Sequence, residues 1–220
     1  MLYFPSGLSF FKTTLAPDAM TFIGSTTPVG HLLQSIVGAK KLLEAAIRFK
    51  ARRIVINSSG LVYGDMAREF KFQKIDLLRP THIIALEKER ELTPLLKNFY
   101  FRKSVSIIRL KIIDAVRLKT QEQRADYRTR AFRNYFMHSQ NIALYLRGLG
   151  LHGHLPNFQA KNTWDKLLIG LCDKYNFARS LGVIQHIDME NNILYCMTPL
   201  EELKGIKSIH FGSIRMPLID

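Results

Sequence analysis

Cysteine is nearly absent, with Cys172 and Cys196 the only two in 220 residues. Two thiols exclude a four-thiol zinc site, and no nearby histidine pair supplies zinc spacing. Both are expected to be buried, which is compatible with a reducing compartment. No apolar run reaches the length of a membrane-spanning helix. The opening MLYFPSGLSFF is interrupted by Pro5 and Gly7 and lacks a basic leader and a small-residue cleavage pattern. No membrane role and a cytoplasmic location are therefore expected. Internal repeats and low-complexity tracts are missing too. Acidic residues are scarce, 18 against 32 Lys and Arg, a formal charge of +14. The string G-x-x-x-x-G-K-[ST] occurs nowhere, so the usual phosphate cradle, its lysine and its magnesium-binding hydroxyl are not encoded in that form.

What is present suits a packed domain: 47% of the residues are hydrophobic. The positive field attracts polyanions, with nucleic acid the first candidate and an anionic membrane the second. The organising stretch is Arg52–Gly64, RRIVINSSGLVYG. Ile54–Ile56 reads as a buried parallel strand ending in a polar turn, Asn57–Gly60, at the edge where open α/β sheets bind ligands. Before it, Met20–Ile23 reads as a short strand. The small-residue loop Gly24–His31 then feeds a helix over Gly30–Phe49 with an apolar face through Leu32, Leu33, Ile36, Val37, Leu43, Ala46 and Ile47. After Gly64 a mixed segment runs to Leu78 and stops at Pro80. Thr81–Leu86 predicts a second buried strand. Glu87–Glu91 predicts an acidic helix start, with a short helix to about Tyr100. Ser104–Leu110 predicts a third strand. This alternation implies a parallel sheet covered by helices.

Thr120–Gly148 changes character. Arg124, Arg128, Arg130 and Arg133 crowd beside Tyr127, Phe132, Tyr135 and Phe136, and the four-residue step from Arg124 to Arg128 puts both guanidinium groups on one helix face. Such a cluster can grip phosphates; it can equally be a solvated basic helix packed through its aromatics. Gly148, Gly150, Gly153 and Pro156 suggest a boundary, giving domains over 1–150 and 157–220. Leu167–Leu171, Leu181–Ile187, Asn192–Met197 and Ile206–Ile214 predict a small antiparallel β-rich unit.

In the Gly24–His31 loop, Ser25, Thr26 and Thr27 can face a phosphate at a helix start, or Thr27 can cap the helix ahead of Pro28. His31 reads more readily as a packed histidine than as a base. Asn57–Gly60 offers hydroxyls and close backbone approach. Asp65, Asp76 and Asp114 are isolated carboxylates that form no general-base pair.

Taken together, FIGSTTPVGHL (Phe22–Leu32), INSSGLVYG (Ile56–Gly64), KIDLLRPTHIIAL (Lys74–Leu86), RADYRTRAFRNYF (Arg124–Phe136) and GLCDKYNFARSLGVIQHIDMENNILYCMTPL (Gly170–Leu200) resemble the polynucleotide 5'-hydroxyl kinase family that includes Clp1, Grc3 and Nol9. Order and spacing carry the resemblance more than any one passage. It implies an α/β fold: a partial P-loop-kinase-like parallel sheet with flanking helices and a small C-terminal β-rich domain. It also implies transfer of the terminal phosphate of ATP or GTP, with Mg2+, to the 5'-hydroxyl of RNA or single-stranded DNA. By that resemblance Thr26 and Thr27 help hold the nucleic-acid end. Ser59 and Gly60 match a threonine-glycine part of the substrate clasp, with Ser59 for threonine and Leu61 for a common aromatic. Arg128 and Arg133 match the lid arginines that approach the phosphates, and Arg124 supports them.

The family carries its P-loop and a D-x-D-x-G-Q motif ahead of a segment that FPSGLSF resembles. The expectation is therefore a kinase domain lacking the N-terminal P-loop portion: an incomplete family member, a misplaced gene start, or one half of a split protein whose other half supplies the P-loop. Little kinase activity is expected of the isolated chain, and its own ATP and Mg2+ binding is in doubt. A noncatalytic RNA-binding or RNA-processing subunit and a poorly folding remnant are the competing readings.

Overall fold

The computed structural model describes residues 17–113 and 120–216. The opening MLYFPSGLSFF and Asp114 lie outside them.

Helix α1, Leu32–Arg48, buries its small residues Ser35, Gly38, Ala45 and Ala46. That face lets it lie close to the segment before it: a Cβ at Gly38 would sit 2.7 Å from Thr21 Oγ1. Lys41 on α1 donates to the carbonyls of Tyr175 (2.6 Å) and Asn176 (2.9 Å), tying the helix to a turn of the C-terminal sheet. Helix α2, Asp65–Leu78, starts after Gly64 and stops at Arg79, which adopts the left-handed conformation before Pro80. It packs against α1.

Strands β1 (His82–Glu87) and β2 (Ser106–Lys111) pair in parallel, with Ile84 opposite Ile108 and Leu86 opposite Leu110. Between them lie the short helix α3, Thr93–Leu96, and a 3-10 turn, Lys97–Phe99. The acidic run is not a helix start. Glu87 ends β1, buried, and accepts from Arg109 Nη1 at 2.7 Å. Glu91 folds back to accept from the N–H groups of Lys88 and Glu89, which hold its carboxyl below the ordinary carboxylate range.

Two predicted strands are corrected. Met20–Ile23 and Ile54–Ile56 join no ladder among the described residues, and Val55 is 85% exposed. An apolar run becomes a strand only where a neighbour takes its backbone donors and acceptors. The parallel sheet is accordingly two strands among the described residues. Its Ile84 and Leu86 are each 60% exposed, and Ile108 and Leu110 are also open. Parallel sheets are ordinarily covered on both faces.

Helix α4, Gln121–Phe136, begins at a capping box: Thr120 Oγ1 accepts from Gln123 N–H (3.2 Å) and Gln123 Oε1 accepts from Thr120 N–H (3.0 Å). Then come β3 (Gln140–Tyr145), β4 (Gly150–Gly153), a helical turn α5 (Lys161–Trp164), β5 (Leu167–Cys172), β6 (Ala178–Asp188), β7 (Ile193–Thr198) and β8 (Ser208–Arg215). They form one six-stranded sheet in the order β3-β7-β6-β5-β8-β4, antiparallel except for the β4–β8 pair. The sheet thus begins at Gln140, ahead of the boundary that the glycines suggest. Ile169, Leu171, Ile184, Leu194, Ile209, Phe211 and Trp164 fill one face. The other carries Leu168, Val183 and Met216, against which Phe136, Phe132, Tyr135 and Phe22 pack. Both cysteines are buried within the sheet, which pushes their thiols up to about 12.

His210 on β8 faces His152 on β4, with ring centroids 4.9 Å apart. Its Nε2 is buried without a partner among the described residues. Burial, then His152 and Lys41, push its pKa down to about 4. The unfolded histidine takes up its proton near the ordinary 6.5, so this site's contribution to stability is present at neutral pH and is lost as pH falls from 6.5 towards 4. Urea unfolding should show a falling midpoint over that window, flattened in His210→Phe. One proton sets an upper slope of about 1.4 kcal/mol per pH unit, and solvent around this half-buried ring reduces it.

Candidate nucleic-acid interface

Three segments carry the predicted contacts. In the first, the chain crosses the sheet at Phe22, turns through Gly24–His31 and enters α1. Thr26 and Thr27 are exposed at its top. Thr27 does not cap the helix: His31 occupies the capping position, without a side-chain cap bond, and Thr27 Oγ1 instead accepts from Val29 N–H at 3.4 Å. Ser25 Oγ accepts from Thr27 N–H at 3.2 Å. These local turns consume the hydroxyls that a cap would use. His31 is packed, 4% exposed, and its pKa is lowered by burial and by His154.

The second segment is the turn Asn57–Gly60. It is held by Lys71 of α2, whose Nζ donates to Ser58 Oγ (2.7 Å) and to the carbonyl of Ser59. Lys71 is only 7% exposed and has no carboxylate partner among the described residues. Burial, then the charge of Lys74, push its pKa down to about 8. Ser59 Oγ is itself buried and without a hydrogen-bond partner among the described residues, while Gly60 is exposed. The predicted Ser59 and Gly60 thus sit on a turn built by a residue that sequence reasoning missed. The signal was available: Lys71 lies on the stripe Ala67, Phe70, Lys71, Leu78, where an apolar side chain belongs. Because the unfolded lysine titrates near 10.5, its depressed value lowers stability below pH 8, and that loss is relieved as pH rises towards 10.5. Thermal unfolding of Lys71→Met should lack this rise.

The third segment is α4. Phe136, Phe132 and Tyr135 anchor its end, and Tyr135 Oη accepts from Leu181 N–H (3.0 Å) and shares a hydrogen bond with Ser180 Oγ. Arg124, Arg128, Arg130 and Arg133 are all exposed, and none is in an ion pair among the described residues. The helix is therefore packed through its aromatics and offers its guanidinium groups to solvent. Phe22 at the root of the threonine loop and Phe132, Tyr135 and Phe136 of α4 rest in one apolar cluster on the same sheet face. No hydrogen bond or ion pair among the described residues joins the Ser59 turn to either.

The isolated carboxylates are otherwise engaged. Asp65 pairs with Arg68, and Asp76 with Arg102 at 2.6 Å. Among the described residues no group of three or more His, Cys, Asp or Glu side chains could hold a metal ion. No helix among them is long and apolar enough to cross a membrane.

A parallel-strand α/β region joined to a mostly antiparallel sheet is the architecture of a P-loop-kinase-like fold of the Clp1p type. A solved wild-type Clp1p–Pcf11p complex matches with a TM-score of 0.61 over 96% of this chain and 58% of the other, at 12% identity. A second Clp1p–Pcf11p structure, concerned with ATP loss in a point mutant, gives a TM-score of 0.60 over 96% of this chain and 58% of that one, at 11% identity. The chain thus spans less than two thirds of the solved proteins it matches. The family described as mRNA cleavage and polyadenylation factor CLP1 P-loop matches residues 8–138, and the chain belongs to that family. Relatives include the polyribonucleotide 5'-hydroxyl-kinase of Methanocaldococcus jannaschii, 28% identical over 255 residues, covering 92% of this chain and 70% of that protein. Another is the polyribonucleotide 5'-hydroxyl-kinase of Pyrococcus horikoshii, 26% identical over 253 residues, covering 92% and 68%.

The family match corrects one expectation. It places residues 8–138 within the family's P-loop domain, so the missing G-x-x-x-x-G-K-[ST] string does not show that this portion is lacking. The separately supplied half rested in part on that lack and loses that support.

Proposed function

We propose that this chain acts as a polynucleotide 5'-hydroxyl kinase, transferring the terminal phosphate of ATP or GTP to the 5' end of RNA or single-stranded DNA. Its relatives' activity supports the reaction class. The observation that carries the reading is the set of arginines on α4: exposed, unpaired with carboxylates among the described residues, and carried by a helix rooted in the same apolar cluster as the Thr26–Thr27 loop. Thr26 and Thr27 hold the nucleic-acid end, Ser59 and Gly60 flank it, and Arg128 and Arg133, supported by Arg124, stabilise charge on the phosphoryl group. The described acidic residues do not gather a magnesium ligand set. The test is incubation of the pure chain with magnesium, γ-labelled ATP or GTP, and a 5'-hydroxyl RNA or DNA oligonucleotide. With the P-loop portion no longer counted as lacking, label at the 5' end, absent when that end already carries a phosphate, replaces the little activity read from the sequence as the expected result.

The second reading, a noncatalytic RNA-binding or RNA-processing subunit, draws on the same scattered carboxylates. Salt-sensitive RNA binding without label transfer or ATP hydrolysis would select it. Failure to bind either nucleic acid at low salt would remove both.

A further inference from the structure

Both ends of the Thr26–Thr27 loop are held by one residue from the last strand. Ser213 donates its backbone N–H to the Gly24 carbonyl at 2.8 Å. Its Oγ lies 3.2 Å from that carbonyl and 2.9 Å from His31 Nε2. Gly24 opens the loop and His31 closes it. Beneath them Phe22 lies over Gly170 and Gly212, and Gly24 approaches so closely that its Cβ would sit 3.1 Å from Gly212 Cα. On the far side the His31 ring meets His154 edge-on, with centroids 4.9 Å apart. Between these points the loop is tightened from within by the Ser25 and Thr27 turns and by His31 N–H donating to the Pro28 carbonyl at 2.8 Å.

One hydroxyl therefore bridges entry and exit. Removing it leaves the Ser213 backbone bond to Gly24 and the Phe22 packing in place, and frees only the His31 end. A loop held at both ends presents Thr26 and Thr27 in one arrangement and loses less conformational freedom when a ligand arrives. We propose that Ser213 is a positioning residue for nucleic-acid binding: through its hydroxyl the C-terminal sheet sets the opening of the loop that takes the polynucleotide end. This rests on the reading of Thr26 and Thr27 as nucleic-acid contacts.

The test measures binding of a 5'-hydroxyl single-stranded RNA oligonucleotide by fluorescence anisotropy. The proteins are the full chain, Ser213→Ala, Ser213→Thr, the pair Thr26→Ala/Thr27→Ala, and that pair combined with Ser213→Ala. Ser213→Ala should weaken binding by about three- to tenfold, the worth of roughly one hydrogen bond, and Ser213→Thr, which keeps the hydroxyl, should restore it. In the loop-variant background the Ser213→Ala loss should largely vanish, because the two act through one element. A merely structural role would lower the melting temperature without that non-additivity. If the threonine pair changes nothing, the loop reading falls and the proposal with it. If the threonines matter but Ser213→Ala is silent, or its loss persists in full beside them, the loop reading stands and the positioning role is overturned.

Discussion

Replacing Arg128 and Arg133 together by alanine should reduce 5'-end phosphorylation by about a hundred- to a thousandfold, the loss typical of removing preorganised donors from a charge-developing phosphoryl group. Both side chains are exposed and outside any ion pair among the described residues. The fold should be little affected, with stability changed by no more than about 0.5 kcal/mol. That separation makes the experiment informative: circular dichroism and melting remain unchanged while transfer falls. The double lysine variant keeps the charge but loses the planar, bidentate donor pattern, and should recover binding more than rate. Plotting the logarithm of RNA affinity against that of salt concentration should show a shallower slope in the alanine variant, by roughly one to two units if both arginines contact phosphates. Unchanged transfer in the alanine pair would remove α4 from the chemistry.

A second large effect is expected at Gly170. A Cβ there would sit 2.5 Å from Phe22 Cγ, and at Gly212 it would sit 2.8 Å from the Leu168 carbonyl and 2.9 Å from that of Gly24. These two glycines form the hollow that receives Phe22. Gly170→Val should expel the ring, lower stability by about 1–3 kcal/mol as overpacking does, and release the threonine loop from the sheet. RNA affinity should fall with it. Phe22→Ala should lose the same packing without the clash. If Gly170→Val melts like the wild type and binds RNA as well, Phe22 does not seat there.

Much of this was legible in the sequence because the signals were local. The arginine spacing of α4, the β1 and β2 runs and four of the six later strands all announce themselves within a dozen residues, whereas β3 and β4 do not. What escaped depends on distant partners. Ile54–Ile56 has the composition of a buried strand, yet pairing is a property of two segments, and no ladder forms along it among the described residues. The acidic run Glu87–Glu91 looks like a helix start until Arg109, 22 residues on, claims Glu87. Gly170 and Gly212 look like ordinary glycines until Phe22 is seated over them. Of the site, the residue types and their order were readable; Lys71 left a signal as a charge on an apolar stripe, while Ser213 left none, since it acts on a loop 189 positions away.

The bond between Ser213 and Gly24 spans 189 positions of chain. At translation rates of roughly 5–20 residues per second, the loop waits on the order of 10–40 s for the strand that holds it. By the end of that interval the basic N-terminal half has long been synthesised, with its threonine loop still unsecured. On the proposed reading of the loop, correct nucleic-acid binding is a late event in the life of each molecule. A chain stopped short of β8 would keep its arginines and its charge, and would bind RNA loosely and without regard to its end.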